Sequence, residues 1–491
     1  MQAQLAPNNY KTLIFLESRF KVTMKKLLGF SLGPAVASIV SLISVPILTR
    51  IVTPETYAQV SLAQITIQLL LFAILSGFDQ GYVREFYEEQ SKKKLLLHTL
   101  GVNLGIYVFF FIGLWFFSEA VSSFLFGYID YILIAIIVFI AFQSLLLRYI
   151  QLALRMKGNA ISFSLVLIIQ SVANVILILT FISLELGTNL QAILSANAIS
   201  ISIVIVFGIF RLKVHRVDPR NEKISFDKRL LLKLASYSLP LLVSSLFMWV
   251  LYSADQYMIR IMSDYKQLGL YVASYKLIAA LVLLQTIIST YWVPVSLTWA
   301  KENKANYEYE RVGFIVSGML LIVFILAILL KGLLVYILGS EFRAAEGVFP
   351  YLLLFPIYYT LAEVGSSGIA IARKTKLLVP ITFICACLNV ALNFWLIPML
   401  GAKGAAISTA VTFILYFYLR AYISNIFWKR LTLKSYNYLT LICLITLIFH
   451  ESKYIIHLCV FFLFVTMSYL YIKEEAFIKT QIMRKLQRSN N

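Results

Sequence analysis

The sequence predicts an all-α integral membrane protein of about fourteen transmembrane helices, built as two pseudo-repeated six-helix halves followed by two C-terminal helices. Three observations carry this. Hydrophobic residues make up 60% of the 491 and charged residues 13%, against roughly 25% charged in a soluble chain. Mean hydropathy is +0.84, and apolar runs of about 20 residues, enough to cross ~30 Å of hydrocarbon at 1.5 Å per residue, recur from end to end. The runs show no strict alternation, and backbone without access to water must bond within its own helix, so a barrel is excluded.

Taken in order, Met1–Thr23 is polar and basic and has no apolar core of a cleavable signal. It reads either as part of a cytoplasmic tail over 1–26 or as an extension upstream of a start at Met24. Spans are predicted near 27–48, 57–78, 99–117, 130–147, 160–182, 192–210, 235–258, 269–293, 313–330, 347–371, 377–397, 404–424, 436–450 and 455–472. The N-terminal half is thus 27–210, a basic linker 211–234, the C-terminal half 235–424, two appended helices 425–472, and a tail 473–491.

Charge sets the orientation. Of the 43 Lys and Arg, 34 fall on the side of the termini and seven opposite: Arg50, Arg260, Lys266, Lys331, Arg343, Lys403 and Lys453. By the positive-inside rule both termini are predicted to be cytoplasmic. The net charge of +20 is then topogenic and does not point to nucleic acid. The eight cations between Arg211 and Lys233 form a linker attracted to anionic headgroups. All four cysteines lie in apolar runs, so neither disulfide nor metal site is expected.

The segment 49–63 aligns without gaps on 259–273, matching Arg50 to Arg260, Ile51 to Ile261 and Ala63 to Ala273. Asn174 and Asn389 correspond at a similar offset. Two similar offsets indicate duplication.

The stretch NVALNFWLIPMLGAKGAAISTA, Asn389 to Ala410, resembles the signature of the multidrug, oligosaccharidyl-lipid and polysaccharide exporter superfamily, in particular its polysaccharide-transporter branch, the Wzx-type O-antigen flippases. ADQYMIRIMSDYKQLGLYVASYKL around Asp255, GFDQGYVREFY around Arg84 and TRIVTPETYAQVSLA around Arg50 agree with it. Ala58 departs from the family glycine that follows the tyrosine. The resemblance implies a flippase of the bacterial inner membrane that moves undecaprenyl-pyrophosphate-linked oligosaccharide, an O-antigen or related repeat unit, to the periplasmic leaflet by alternating access. It implies membrane lipid and other polysaccharide-assembly proteins as partners, and for the appended helices either a groove for the lipid tail or a role as packing partners. The alternatives are an ion-coupled exporter of cationic drugs from the same superfamily and a lipid-linked sugar polymerase.

Ionisable groups inside spans are the default functional candidates. Asp255 and Lys276, at matching depth on consecutive spans, are expected to pair. Arg50, Arg260 and Lys276 are a candidate cationic lumen for pyrophosphate, or else headgroup anchors with a structural Asp255–Lys276 clasp. Glu363, in a span interrupted by Pro350 and Pro356, is a candidate site for a coupling proton or sodium ion, or a buried carboxylate bonded to a neighbouring helix. Arg84, Asp79, Glu85, Glu88 and Glu89 read as a solvated network at the cytoplasmic mouth. Asn389 and Asn393, four apart on one face, suit hydrogen bonding between helices, worth about 0.6–2 kcal/mol in lipid. Pro398, Gly401 and Gly404 make a tight turn and a close-packed helix start. No nucleotide-binding loop or zinc-protease motif is present, so no enzyme and no cofactor are expected.

Overall fold

The computed structural model describes residues 8–186, 189–212, 227–452 and 454–469, with side chains from 29 onward other than 240, 241, 243 and 244. Among them there is no strand. In chain order the α-helices are α1 (Asn8–Ile51), α2 (Pro54–Leu75), α3 (Phe78–Glu85), α4 (Lys92–Phe116), α5 (Ser118–Phe126), α6 (Tyr131–Met156), α7 (Ala160–Ser183), α8 (Asn189–Leu212), α9 (Lys228–Met262), α10 (Tyr265–Leu277), α11 (Ala279–Lys301), α12 (Asn306–Leu329), α13 (Lys331–Tyr336), α14 (Phe349–Leu352), α15 (Leu354–Gly365), α16 (Ser367–Ile371), α17 (Leu378–Leu400), α18 (Ala402–Phe427), α19 (Lys434–Phe449) and α20 (Ile455–Tyr469).

Ten described helices are long and apolar enough to cross a membrane, and eleven if the pair 340–347 and 349–365, bent by 57°, counts as one. The 35-residue α9 and the shorter apolar α19 and α20 occupy the remaining predicted places. The bend falls in the predicted tenth span. There Pro350 sits in the first turn of α14 and Pro356 in that of α15, where a missing N–H costs nothing. The predicted eighth span is two helices, α10 and α11, meeting at Ile278 without a Pro or Gly to signal the break. Helix also begins at Asn8, inside the stretch read as a tail, and at Lys228, inside the predicted linker. Most of that linker, 213–226, lies outside the described residues, as does the predicted tail 473–491.

By internal contacts the chain forms two compact units, one taking the chain up to Ser44 and Gln59–Ser245, the other Val45–Ala58 and Leu246 onward. The division therefore runs through α1, α2 and α9.

In the first unit, side-chain caps set the helix starts. Ser91 accepts from Lys94 N, Asp130 from Ile132 N and Leu133 N, and Asn159 from Ser162 N, each replacing a bond the first turn lacks. α8 lies against α6 and α7, where Gly208 admits Ile150.

In the second unit, α17 and α18 form a hairpin. Gly401 turns it at φ +55°, and the α18 start is held by Ala402 N donating to Gln267 Oε1 at 3.1 Å. A Cβ on Gly404 would meet the backbone of Leu396, so the small residue is what lets the helices close up. α15 packs on α18 and α19 on α12, with Tyr436 seated against Gly313.

Candidate functional site

The polar interior of the second unit is assembled from four helices. Asp255 sits on α9 with 2% exposure. Its Oδ1 accepts from Asn393 Nδ2 of α17 at 2.6 Å, and its Oδ2 from Tyr271 OH of α10 at 2.6 Å and from Thr409 Oγ1 of α18. Asn393 also donates to Asn389 Oδ1 at 3.2 Å, and Asn389 exchanges bonds with Ser408 on α18. The two asparagines do lie on one buried face, which tethers α17 to α9 and α18.

All of the hydrogen-bond donors to Asp255 are neutral. A buried carboxylate with no cation beside it needs a proton or a bound cation to compensate it. The surroundings suit either: among the described residues Asn393 Oδ1 is buried without a hydrogen bond, and Asp255, Asn393 and Thr409 supply the oxygen chemistry that hard cations take.

The expected Asp255–Lys276 pair is not formed. Lys276, one residue before the end of α10, is half-buried and has no ion pair among the described residues. The reason is direction. Asp255 faces α17 and α18, which satisfy it, while Lys276 lies elsewhere on α10.

The span carboxylate that does meet a cation is Glu363 of α15. Its Oε1 accepts from Arg420 Nη1 of α18 at 2.7 Å, and Arg420 also donates to Ser366 Oγ at 3.0 Å and Tyr416 OH at 3.1 Å. Sequence reasoning passed over Arg420, although it and Lys276 are the two cations inside predicted spans. Elimination on that basis was the available signal. Tyr271, Thr409 and Ser408 carried none, being ordinary span residues until the helices pack.

Arg50 and Arg260 have different settings. Arg50 is exposed, while the Arg260 guanidinium is half-buried and lies 4.3 Å over the Tyr265 ring.

In the first unit the network around α3 is not a solvated one. Asp79 and Glu85 are buried; Asp79 Oδ2 takes both Nε and Nη2 of Arg148, at 3.0 and 2.6 Å, and Glu85 takes Lys233. Arg84 and Glu88 stay exposed. The eight-residue α3 packs on α4 and α6, which turns both of its carboxylates inward. Beside it Asp227, the residue before α9, accepts from Lys94 Nζ at 2.7 Å and from Arg229 N and Leu230 N. The Lys94 hydrogen bond above all holds its carboxyl down to about 2.

A family model described as polysaccharide biosynthesis protein matches residues 24–298, more than half of the sequence. The chain belongs to the polysaccharide biosynthesis protein family. No curated protein matches it significantly. Among solved structures, the lipid II flippase MurJ in an inward closed conformation is similar with TM-score 0.70 and 15% identity, over 90% of this chain and 99% of that one. An inward-facing multidrug resistance MATE family transporter of the MOP superfamily gives 0.60 and 14%, over 82% and 97%. A MOP superfamily transporter from Pyrococcus furiosus gives 0.51 and 17%, over 81% and 93%. This member of the polysaccharide biosynthesis family therefore has the fold of the multidrug, oligosaccharidyl-lipid and polysaccharide exporter superfamily, a fold of membrane transporters.

Proposed function

We propose that this chain is an ion-coupled flippase of the bacterial inner membrane, with both termini cytoplasmic. It carries undecaprenyl-pyrophosphate-linked oligosaccharide, the repeat unit of an O-antigen or related surface polysaccharide, from the cytoplasmic to the periplasmic leaflet by alternating access. The observation that carries the reading is the conjunction of polysaccharide biosynthesis family membership with a fold shared over 99% of a lipid II flippase. Sugar and diphosphate cross through protein while the polyprenyl tail stays in lipid, which avoids moving several charges through hydrocarbon.

Asp255 supplies the coupling. Empty, it is a buried charge with neutral neighbours; loaded with a proton or sodium ion, it is neutralised, so ion occupancy biases how α9, α10, α17 and α18 pack. Arg50, Arg260 and Lys276 draw the pyrophosphate by charge. Export of cationic drugs is disfavoured, because Glu363 is already matched by Arg420 and Asp255 alone is left among the deep carboxylates.

The test is deletion of the gene in its host, followed by leaflet-resolved analysis of lipid-linked sugars. Accumulation of one lipid-linked oligosaccharide on the cytoplasmic leaflet, reversed by the intact gene, is expected. An unchanged lipid-linked pool with intact surface polysaccharide would sink the reading.

A further inference from the structure

The Glu363–Arg420 pair has no part in the ion coupling above, and its hydrogen bonding is incomplete. Arg420 is 7% exposed, in a predicted span where hydrocarbon offers no partner to an N–H. A guanidinium has five N–H donors to place. Nε goes to Ser366, and Nη1 to Glu363 and Tyr416. Among the described residues Nη2 donates to nothing, and Glu363 Oε2 accepts from nothing. Two donors of Arg420 and one acceptor oxygen of Glu363 are thus left over from the ion pair.

The surroundings are aromatic. Tyr359 stacks on Tyr416 with ring centroids 6.1 Å apart and planes at 20°, and Tyr252 stacks on Phe413 at 6.1 Å and 26°. The Tyr252 and Tyr359 rings lie 6.4 Å apart, and both residues are half-buried.

A matched cation and carboxylate have little net charge to attract a pyrophosphate. Fixed donors, a fixed acceptor and aromatic faces instead suit a sugar ring, whose hydroxyls bond in the plane and whose C–H face packs on an aromatic one. We propose that Arg420, Glu363, Tyr359 and Tyr252 form a subsite for one sugar ring of the transported glycan, which selects the glycan and not its diphosphate. The proposal rests on the flippase reading.

The test uses the purified full chain in lipid nanodiscs and measures the shift in unfolding midpoint with two probes. One is sugar-free undecaprenyl diphosphate; the other is lipid-linked oligosaccharide extracted from a host lacking this gene. The wild type is expected to gain more from the oligosaccharide lipid. In Tyr359→Leu and Arg420→Lys the sugar-dependent part of the shift is lost while the diphosphate-dependent part remains; Tyr252→Phe and Tyr359→Phe, which each remove one hydroxyl, lose a fraction of it. The subsite is overturned if the sugar-dependent part survives Tyr359→Leu and Arg420→Lys. It is equally overturned if both parts vanish together in every variant, the mark of a merely structural pair, or if the wild type responds equally to both lipids. A wild type that responds to neither lipid overturns the flippase reading itself and the subsite with it.

Discussion

Asn393 donates from Nδ2 to Oδ1 of Asp255 at 2.6 Å, joining α17 to α9 across 138 positions of sequence. The amide answers a carboxylate that has no cation beside it among the described residues, so it bears on both stability and ion occupancy.

Asn393→Ala leaves Asp255 one donor short, and a hydrogen bond to a charged group is worth about 1.5–3 kcal/mol. A lower unfolding midpoint in detergent at neutral pH is expected. Asp255→Asn keeps the shape and removes the titratable charge. It should leave abundance near wild type and cut polysaccharide complementation by about tenfold or more; full complementation would remove Asp255 from the coupling role.

Double-mutant cycles should separate the true pair from the pair suggested by sequence. Glu363→Ala and Arg420→Ala each strand a buried charge, at about 3–5 kcal/mol, so the double variant should lose less than the sum. Asp255→Ala with Lys276→Ala should add within about 0.5 kcal/mol, because the two share no bond. Strong coupling in the second cycle would contradict the observed packing.

Gly269 tests the repeat junction. A Cβ there would come closer than 3.0 Å to the backbone of Pro54, which cannot swing aside. Gly269→Ala should destabilise by about 1–3 kcal/mol through overpacking. Gly113→Ala, where a Cβ meets nothing within 4 Å, is the control and should be neutral or stabilising. Equal effects at the two sites would refute the close approach.

The Asp227 cap predicts an acid-side dependence. Its carboxyl, held at about 2 by Lys94, titrates below the ordinary Asp value of roughly 3.9. A depressed folded value means the contribution is complete above the unfolded pKa and disappears as pH falls towards the folded one. The midpoint gap between wild type and Asp227→Asn should be constant from pH 8 to 5 and narrow between about pH 4 and 2. A gap that stays level to pH 2 would assign the effect to shape and not to charge.

Orientation is open to thiol labelling in whole cells of a cysteine-free background. An impermeant maleimide should reach Glu341→Cys and not Lys304→Cys; both residues are exposed, Glu341 near the start of the 340–347 helix and Lys304 in the loop before α12. The reverse pattern would invert the topology.

A helical membrane protein, and roughly where each spanning helix lies, could be read from the apolar runs, because hydrocarbon forces such runs and each reports its own local solvent. The sequence also marked Asp255, Glu363, Asn389 and Asn393 as expensive to bury, and Gly401 and Gly404 as a turn. Which of these groups meet is a matter of helix packing. Matching depth on consecutive spans points Asp255 to Lys276, yet Asp255 is met by Tyr271, Asn393 and Thr409, while Glu363 takes Arg420 from α18. The same holds for the break at Ile278 and the burial of Asp79 and Glu85. Depth in the bilayer is a property of distance along one helix, which sequence encodes. Partnership depends on the rotation of each helix about its axis, and that is set by packing against helices far away in the chain.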